Sequence, residues 1–197
     1  MRVLIACEFS GIVREAFAKQ GHDAWSCDLL PTEIVGNHIQ DDVLKHLDED
    51  WDMMIAHPPC TYLANNGVRW LYRDDDRWEL MRRAGDFLNL LLNAQVPHIA
   101  VENPIPHKWA RQQISPYSQL VQPHYFIGSN ESKATCLWLK GLHELKRTQW
   151  LDKAEIKQSI WRMPPSEIRG KERSRFPVSI AQAMASQWGS LPLPKSG

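Results

Sequence analysis

Glycine-rich phosphate loops are missing from this chain. Neither GxGxxG nor GxxxxGK[ST] occurs, so a dinucleotide or P-loop reading has no motif behind it. No stretch approaches the roughly 20 apolar residues of a membrane span. The opening MRVLIACEFSG is apolar for only a few residues before Glu8, too few for a secretory signal. Cysteine is scarce: Cys7, Cys27, Cys60 and Cys136 are scattered and form no CxxC pair. That argues against a disulfide framework or a zinc site and for a reduced, cytoplasmic setting without metal. An excess of charge is missing too. Lys+Arg 23 and Asp+Glu 23 balance to +0, so any attraction for nucleic acid must come from a local basic patch. There is no internal repeat and no low-complexity tract.

What is present is an ordinary globular composition. The 197 residues are 43% hydrophobic and 23% charged, the size of one compact domain over 1–197. Such a chain buries roughly 70% of its unfolded surface. Nine Trp residues stand out, suited to packing or to base stacking, and composition does not separate the two.

The first half alternates strands and helices. Arg2 to Ala6 is a short apolar run and reads as a buried strand. Gly11 to Gln20 reads as a helix, with Ser10 as N-cap and Gly21 as its stop. Asp23 to Cys27 is a second strand ending at Asp28, and Trp51 to Ala56 a third, halted by Pro58-Pro59. From Asp76 to Asn93, Trp78, Met81, Ala84, Leu88 and Leu91 recur at helical spacing. Pro97 opens a fourth strand, His98 to Val101. The second half is less regular: Ile105 to Tyr125 reads as loop with helical pieces, Ala134 to Leu139 as a strand and Pro177 to Gln187 as a closing helix. In that helix Ile180, Ala181, Met184 and Trp188 share the face expected against the sheet. The rhythm argues for an α/β fold, a doubly wound, mostly parallel sheet. Ligands in such folds sit beyond the carboxyl ends of the strands. Glu8, Asp28, Cys60 and Glu102 all fall there, each just after a strand.

The turn Cys7-Glu8-Phe9-Ser10-Gly11 leads into a helix and presents backbone N–H groups to a nucleotide-like ligand, or is an ordinary βα turn. Asp28 stands where ribose hydroxyls are held in such folds. Asp42 is a further contact, to an adenine amino group, or a solvated loop charge. In His57-Pro58-Pro59-Cys60-Thr61 two prolines stiffen the lead to Cys60, a nucleophile or a small packed side chain. Glu102, in Val101-Glu102-Asn103-Pro104, faces the same pocket or is an ion-paired glutamate.

Pro58-Pro59-Cys60 and Glu102-Asn103, in this order after βαβ strands, resemble the catalytic motifs of the DNA (cytosine-5) methyltransferase family. The Phe9-Ser10-Gly11 turn is similar to its cofactor motif, and Asp28 and Asp42 match its acidic positions. The stretch Lys133-Ala134-Thr135-Cys136-Leu137-Trp138-Leu139 and the Ala183 to Gly189 helix look like those of short, phage-type members. The resemblance spans nearly the whole chain. It implies a Rossmann-like, S-adenosylmethionine-dependent fold with Glu8, Phe9, Ser10, Gly11, Asp28, Asp42 and Pro58 around the cofactor. It implies that Cys60 adds to C6 of cytosine in DNA, and that Glu102 contacts N3 and the exocyclic amine. It also implies a phage or prophage product in a host cytoplasm.

The sequence departs from the family in two ways. The family's arginine-bearing strand motif has no Arg here, so Lys133, or Arg173 or Arg175 from the later loop, takes its place. A large target-recognition domain has no room. The basic segment 146–175, with Trp150 and Trp161, suits a small nucleic-acid-contacting insertion or a solvated connector. Arg69 and Arg73 form a second basic, aromatic stretch. By family analogy the loop of Asn65, Asn66 and Gly67 closes over the base. The rivals are a silent member that binds nucleic acid or a partner protein, a methyltransferase acting on RNA or a free nucleotide, and a cysteine hydrolase using His57 as base.

Overall fold

The computed structural model describes residues 1–74, 76–159 and 175–191. Seven strands form one sheet: β1 (Arg2–Ala6), β2 (Asp23–Asp28), β3 (His38–Gln40), β4 (Met53–Ala56), β5 (His98–Pro104), β6 (Gln119–Val121) and β7 (Thr135–Lys140). Their order is β3-β2-β1-β4-β5-β7-β6. The pairs from β3 through β5 are parallel; β7 runs antiparallel to both β5 and β6. The fold is α/β and Rossmann-like. Its strand order is that of the dinucleotide-binding sheet with one reversed strand, β7, inserted near one edge.

Alternation of side chains builds the two layers. Val3 and Ile5 of β1, Met53 and Ile55 of β4 and Ala100 of β5 face one side. There they bury Val13 and Phe17 of α1 (Ile12–Ala18) and Ile180, Met184 and Trp188 of α3 (Val178–Trp188). Leu4, Ala6, Met54, Ala56, Ile99 and Val101 face the other side and bury Met81, Leu88 and Leu91 of α2 (Asp76–Leu92). Both faces are covered, so the central strands are continuously apolar rather than alternating in polarity.

The structure corrects several boundaries. The first helix starts one residue later than Ser10 as N-cap requires: Gly11 is the N-cap, with φ 74. The third strand begins at Met53, because Trp51 turns aside to give its Nε1–H to the His46 carbonyl. The fourth runs on to Pro104, because β7 pairs with it as far as Pro104↔Thr135. Glu102 therefore lies within β5 and not beyond it. Strands β3 and β6, three residues each, carry too little pattern to be read from sequence.

Candidate active site

The strand order reverses between β1 and β4, which are parallel: β2 and β3 build outward on one side, β5 and its neighbours on the other. At such a switch point the loops leaving the two strands diverge and open a crevice. The loop after β1 begins with Cys7 in the left-handed region, φ 58. Glu8 follows, and its carboxylate is buried. It accepts N–H bonds from Val13 at 2.7 Å and Arg14 at 3.2 Å, and a hydroxyl from Ser10 at 3.1 Å. Ser10 Oγ takes the Ile12 N–H at 3.3 Å. The helix end expected to offer free N–H groups is thus capped from within by Glu8. Gly11 is required twice over, by its positive φ and by Arg14 Nη2, which lies 2.8 Å from where a Cβ would stand.

Arg14 is itself buried. It donates to Ser26, Thr32 and the Ile34 carbonyl, and so organises the loop after β2. Asp28 opens that loop, with Oδ1 accepting the Leu30 N–H at 2.9 Å. Asp42 caps a 3-10 turn over Val43–Lys45 through the Leu44 N–H. Burial pushes the Cys7 thiol up to about 12, helped by the charges of Asp28, then Cys27 and Asp42. Asp28 ends β2, one residue past the Ala6↔Cys27 pair, and stands opposite Gln40, two residues before Asp42. The Phe9 carbonyl accepts from the Glu33 N–H, in the loop after β2, at 2.9 Å.

On the other side of the switch, β4 and β5 are parallel with Ala56 opposite Val101. The next residues out are His57 and Glu102, and they meet: Nδ1 lies 3.2 Å from Oε2, with both side chains about seven-eighths buried. Asn103, fully buried, gives its Nδ2–H to the Pro58 carbonyl at 2.9 Å. Pro58 is buried and Cys60 exposed. The Cys60 carbonyl accepts from Leu63 and Ala64, turning the chain back. The following segment, read from sequence as a loop at Asn65, Asn66 and Gly67, is a 3-10 helix over Asn65–Tyr72. It is stitched to the segment just past β5 through Asn65 N–H to Ile105 O and an Ala64↔Pro106 bridge.

A third group closes the edge. Lys133 lies two residues before β7 and donates Nζ to the Arg175 carbonyl at 2.8 Å. The Arg175 guanidinium pairs with Glu33 at 3.1 Å, and Phe176 sets its ring on His57 at a centroid distance of 4.6 Å. Arg69 and Arg73 are exposed and both stack on Trp70, at 4.9 and 5.4 Å. Arg173, with Trp161, lies outside the described residues. Of the segment 146–175, Arg147 stacks over Tyr125 at 4.5 Å and over Trp150 at 5.6 Å.

No family model matches this chain, and no curated protein does. Solved structures that are similar include two methyltransferases. One is described as a candidate DNA modification methyltransferase encoded within a prophage of E. coli, at 17% identity and a TM-score of 0.42, covering 70% of this chain and 45% of that one. The other is an Entamoeba histolytica methyltransferase, at 12% identity and a TM-score of 0.46, covering 77% of this chain and 57% of that one. The chain thus spans about half the length of the solved structures it resembles.

Among the described residues no cluster of His, Cys, Asp and Glu is arranged to hold a metal, and no helix is long and apolar enough to cross a membrane. A cleft of about 320 Å³ between α1 and α3 is lined by none of the candidate residues. Sequence reasoning missed the part His57 plays beside Glu102, the Asn103–Pro58 tie and the Glu33–Arg175 pair. For His57 a signal existed, one position past a strand predicted beside another. The remaining two depend on pairings across 45 and 142 positions and leave no local pattern.

Proposed function

We propose that this chain transfers a methyl group from S-adenosylmethionine to C5 of cytosine in DNA, through a covalent bond between Cys60 and the base. One arrangement supports this most. The loop carrying Cys60 is joined to the strand carrying Glu102 by two side-chain hydrogen bonds, His57 to Glu102 and Asn103 to the Pro58 carbonyl. A sulfur and a carboxylate tied together in this way suit the two sides of one flat heterocycle.

The donor groups fit the cofactor. Glu8 already fills the anion site at the start of α1, so the neighbouring turn suits a nucleoside without phosphate. Asp28 and Asp42 are assigned to the ribose and the adenine amine, with Phe9, Ser10, Gly11 and Pro58 beside them. Bound S-adenosylmethionine supplies an electrophilic methyl group on a cationic sulfur.

Cys60, as thiolate, adds to C6. The C5=C6 electron pair is released into the ring and C5 becomes nucleophilic, which divides one hard step into two easier ones. Glu102 accepts from the exocyclic amine and from N3 once N3 takes up a proton, and so favours the protonated ring that attack at C6 requires. After methylation a base removes the C5 proton, the double bond re-forms and the thiolate leaves. The cytosine must leave its stack, at a cost of a few kcal/mol in a duplex. Lys133 is assigned to the base, and Arg69, Arg73, Arg173 and Arg175 to the nucleic acid. The chain is read as one methyltransferase domain of phage or prophage origin, working in the cytoplasm.

A silent member that binds nucleic acid is the second reading. It is favoured by Lys133 and Arg175 being engaged with one another and with Glu33. Labelled S-adenosylmethionine with single- and double-stranded DNA, RNA and free cytidine nucleotides separates these readings. Incorporation into DNA is expected, with a Cys60 adduct on 5-fluorocytosine DNA and a loss on the order of 10³-fold or more in Cys60→Ser. Cofactor binding without incorporation, or full transfer by Cys60→Ser, overturns the proposal.

A further inference from the structure

His57 belongs to neither motif of the proposed site, yet it is built into it. Its backbone N–H still donates to Ala6 O at 2.9 Å, so β4's pairing with β1 holds the residue's main chain. One face of its ring meets Phe176, whose own side chain is buried. Nδ1 sits on Glu102 Oε2 at 3.2 Å. Nε2 is buried and has no hydrogen-bond partner among the described residues.

Each of these facts constrains the imidazole. A carboxylate oxygen only accepts, so the nitrogen facing it carries the proton. Opposite an ionised Glu102, His57 presents Nδ1–H. A hydrolase triad needs, besides the carboxylate on Nδ1, the thiol on Nε2. Among the described residues Nε2 makes no such bond.

We infer that His57 is a positioning residue for Glu102. By holding Oε2 it stops the carboxylate from rotating and leaves Oε1 as the atom that meets the base. This rests on the methyltransferase reading of the same site. A carboxylate that must match N3 and an exocyclic amine at once gains from being fixed before the base arrives. Phe176 holds the imidazole from behind, and so joins the start of α3 to the catalytic edge. The substrate class that follows is an amine-bearing pyrimidine, since a fixed acceptor rejects a ring that presents a carbonyl there.

Two measurements on the full chain test this separately. In the first, ¹⁵N-histidine NMR is expected to give His57 the signature of a protonated Nδ1, and Glu102→Ala to abolish it. An Nε2–H tautomer in the unaltered protein, or no change in Glu102→Ala, overturns the proposal whatever the chain's activity. The second follows adduct formation on 5-fluorocytosine DNA and methyl transfer. His57→Phe is expected to lower kcat on the order of 10- to 100-fold while leaving KM for S-adenosylmethionine within about twofold. His57→Asn, whose amide N–H can stand where Nδ1–H stood, is expected to recover most of that loss. A folded His57→Phe with unaltered kcat overturns the proposal, and so does a folded His57→Asn as slow as His57→Phe. If the unaltered protein forms no adduct and transfers no methyl group, the methyltransferase reading fails instead, and the NMR result still decides the His57–Glu102 contact.

Discussion

The four cysteines of this chain are not chemically alike. Burial pushes the Cys7 and Cys136 thiols each up to about 12, with added help from the charges of Asp28 and Glu102 respectively. Cys27 is raised to about 11, again mainly by burial. Cys60 stands exposed. The thiolate is the reactive form, so thiols held that high are inert near neutral pH. Iodoacetamide at pH 8 is expected to alkylate Cys60 at least about 10-fold faster than the other three, read by peptide mass mapping. Equal labelling in the folded protein would count against the burial pattern. The same shifts make stability depend on pH. In the unfolded chain these thiols ionise near 9, whereas in the fold they keep their protons to about 11 or 12. The native state then holds protons the unfolded state has lost. Their contribution is fully present below about pH 9 and declines as pH rises toward 12. Urea midpoints under reducing conditions are expected to fall between pH 8 and pH 10.5, and to fall less in Cys136→Ala.

At the scale of elements, the start of α1 carries the most concentrated arrangement. A seven-residue helix is too short to hold itself together, and its ends decide whether it forms. Glu8 satisfies two of its free N–H groups, and Gly11 supplies a conformation that other residues rarely adopt. Glu8→Ala leaves buried donors without an acceptor and is expected to cost about 1–3 kcal/mol in urea unfolding. Gly11→Ala meets both the positive φ and the Arg14 guanidinium, and is expected to cost about 1–2 kcal/mol or more. The two act on one cap, so the double variant is expected to cost less than their sum. Full additivity would show that Glu8 and Gly11 stabilise the chain independently. The cap also sets the backbone of the turn carrying Phe9 and Ser10, the residues proposed to lie beside the cofactor.

Over the whole molecule, charge and aromatics are distributed unevenly. With +0 net charge, long-range steering toward the proposed DNA substrate is expected to be weak, which leaves binding to local cations. Arg69 and Arg73, stacked on Trp70, are the exposed pair nearest in sequence to Cys60. Replacing both with Ala is expected to weaken oligonucleotide binding and to reduce the slope of log K against log salt by about 1–2. An unaltered slope removes them from the interface. The tryptophans divide in the same way. Trp51, Trp138 and Trp188 are core, whereas Trp70 and Trp150 are exposed. Composition left that division open, because an indole suits either place. Runs such as Val3 to Ala6 and Met53 to Ala56 determined by themselves that a parallel sheet would be covered on both faces, since strands apolar at every position have no side to give to water. The order of the motifs put Glu8, Asp28, Cys60 and Glu102 at or near the strand ends before any coordinates. Only the tertiary structure decided that Glu8 would cap a helix, that Glu102 would lie inside β5, and that His57 would stand beside it. The last of these follows from register: pairing between β4 and β5 joins residues 45 positions apart, and no local periodicity encodes which residue ends up opposite which.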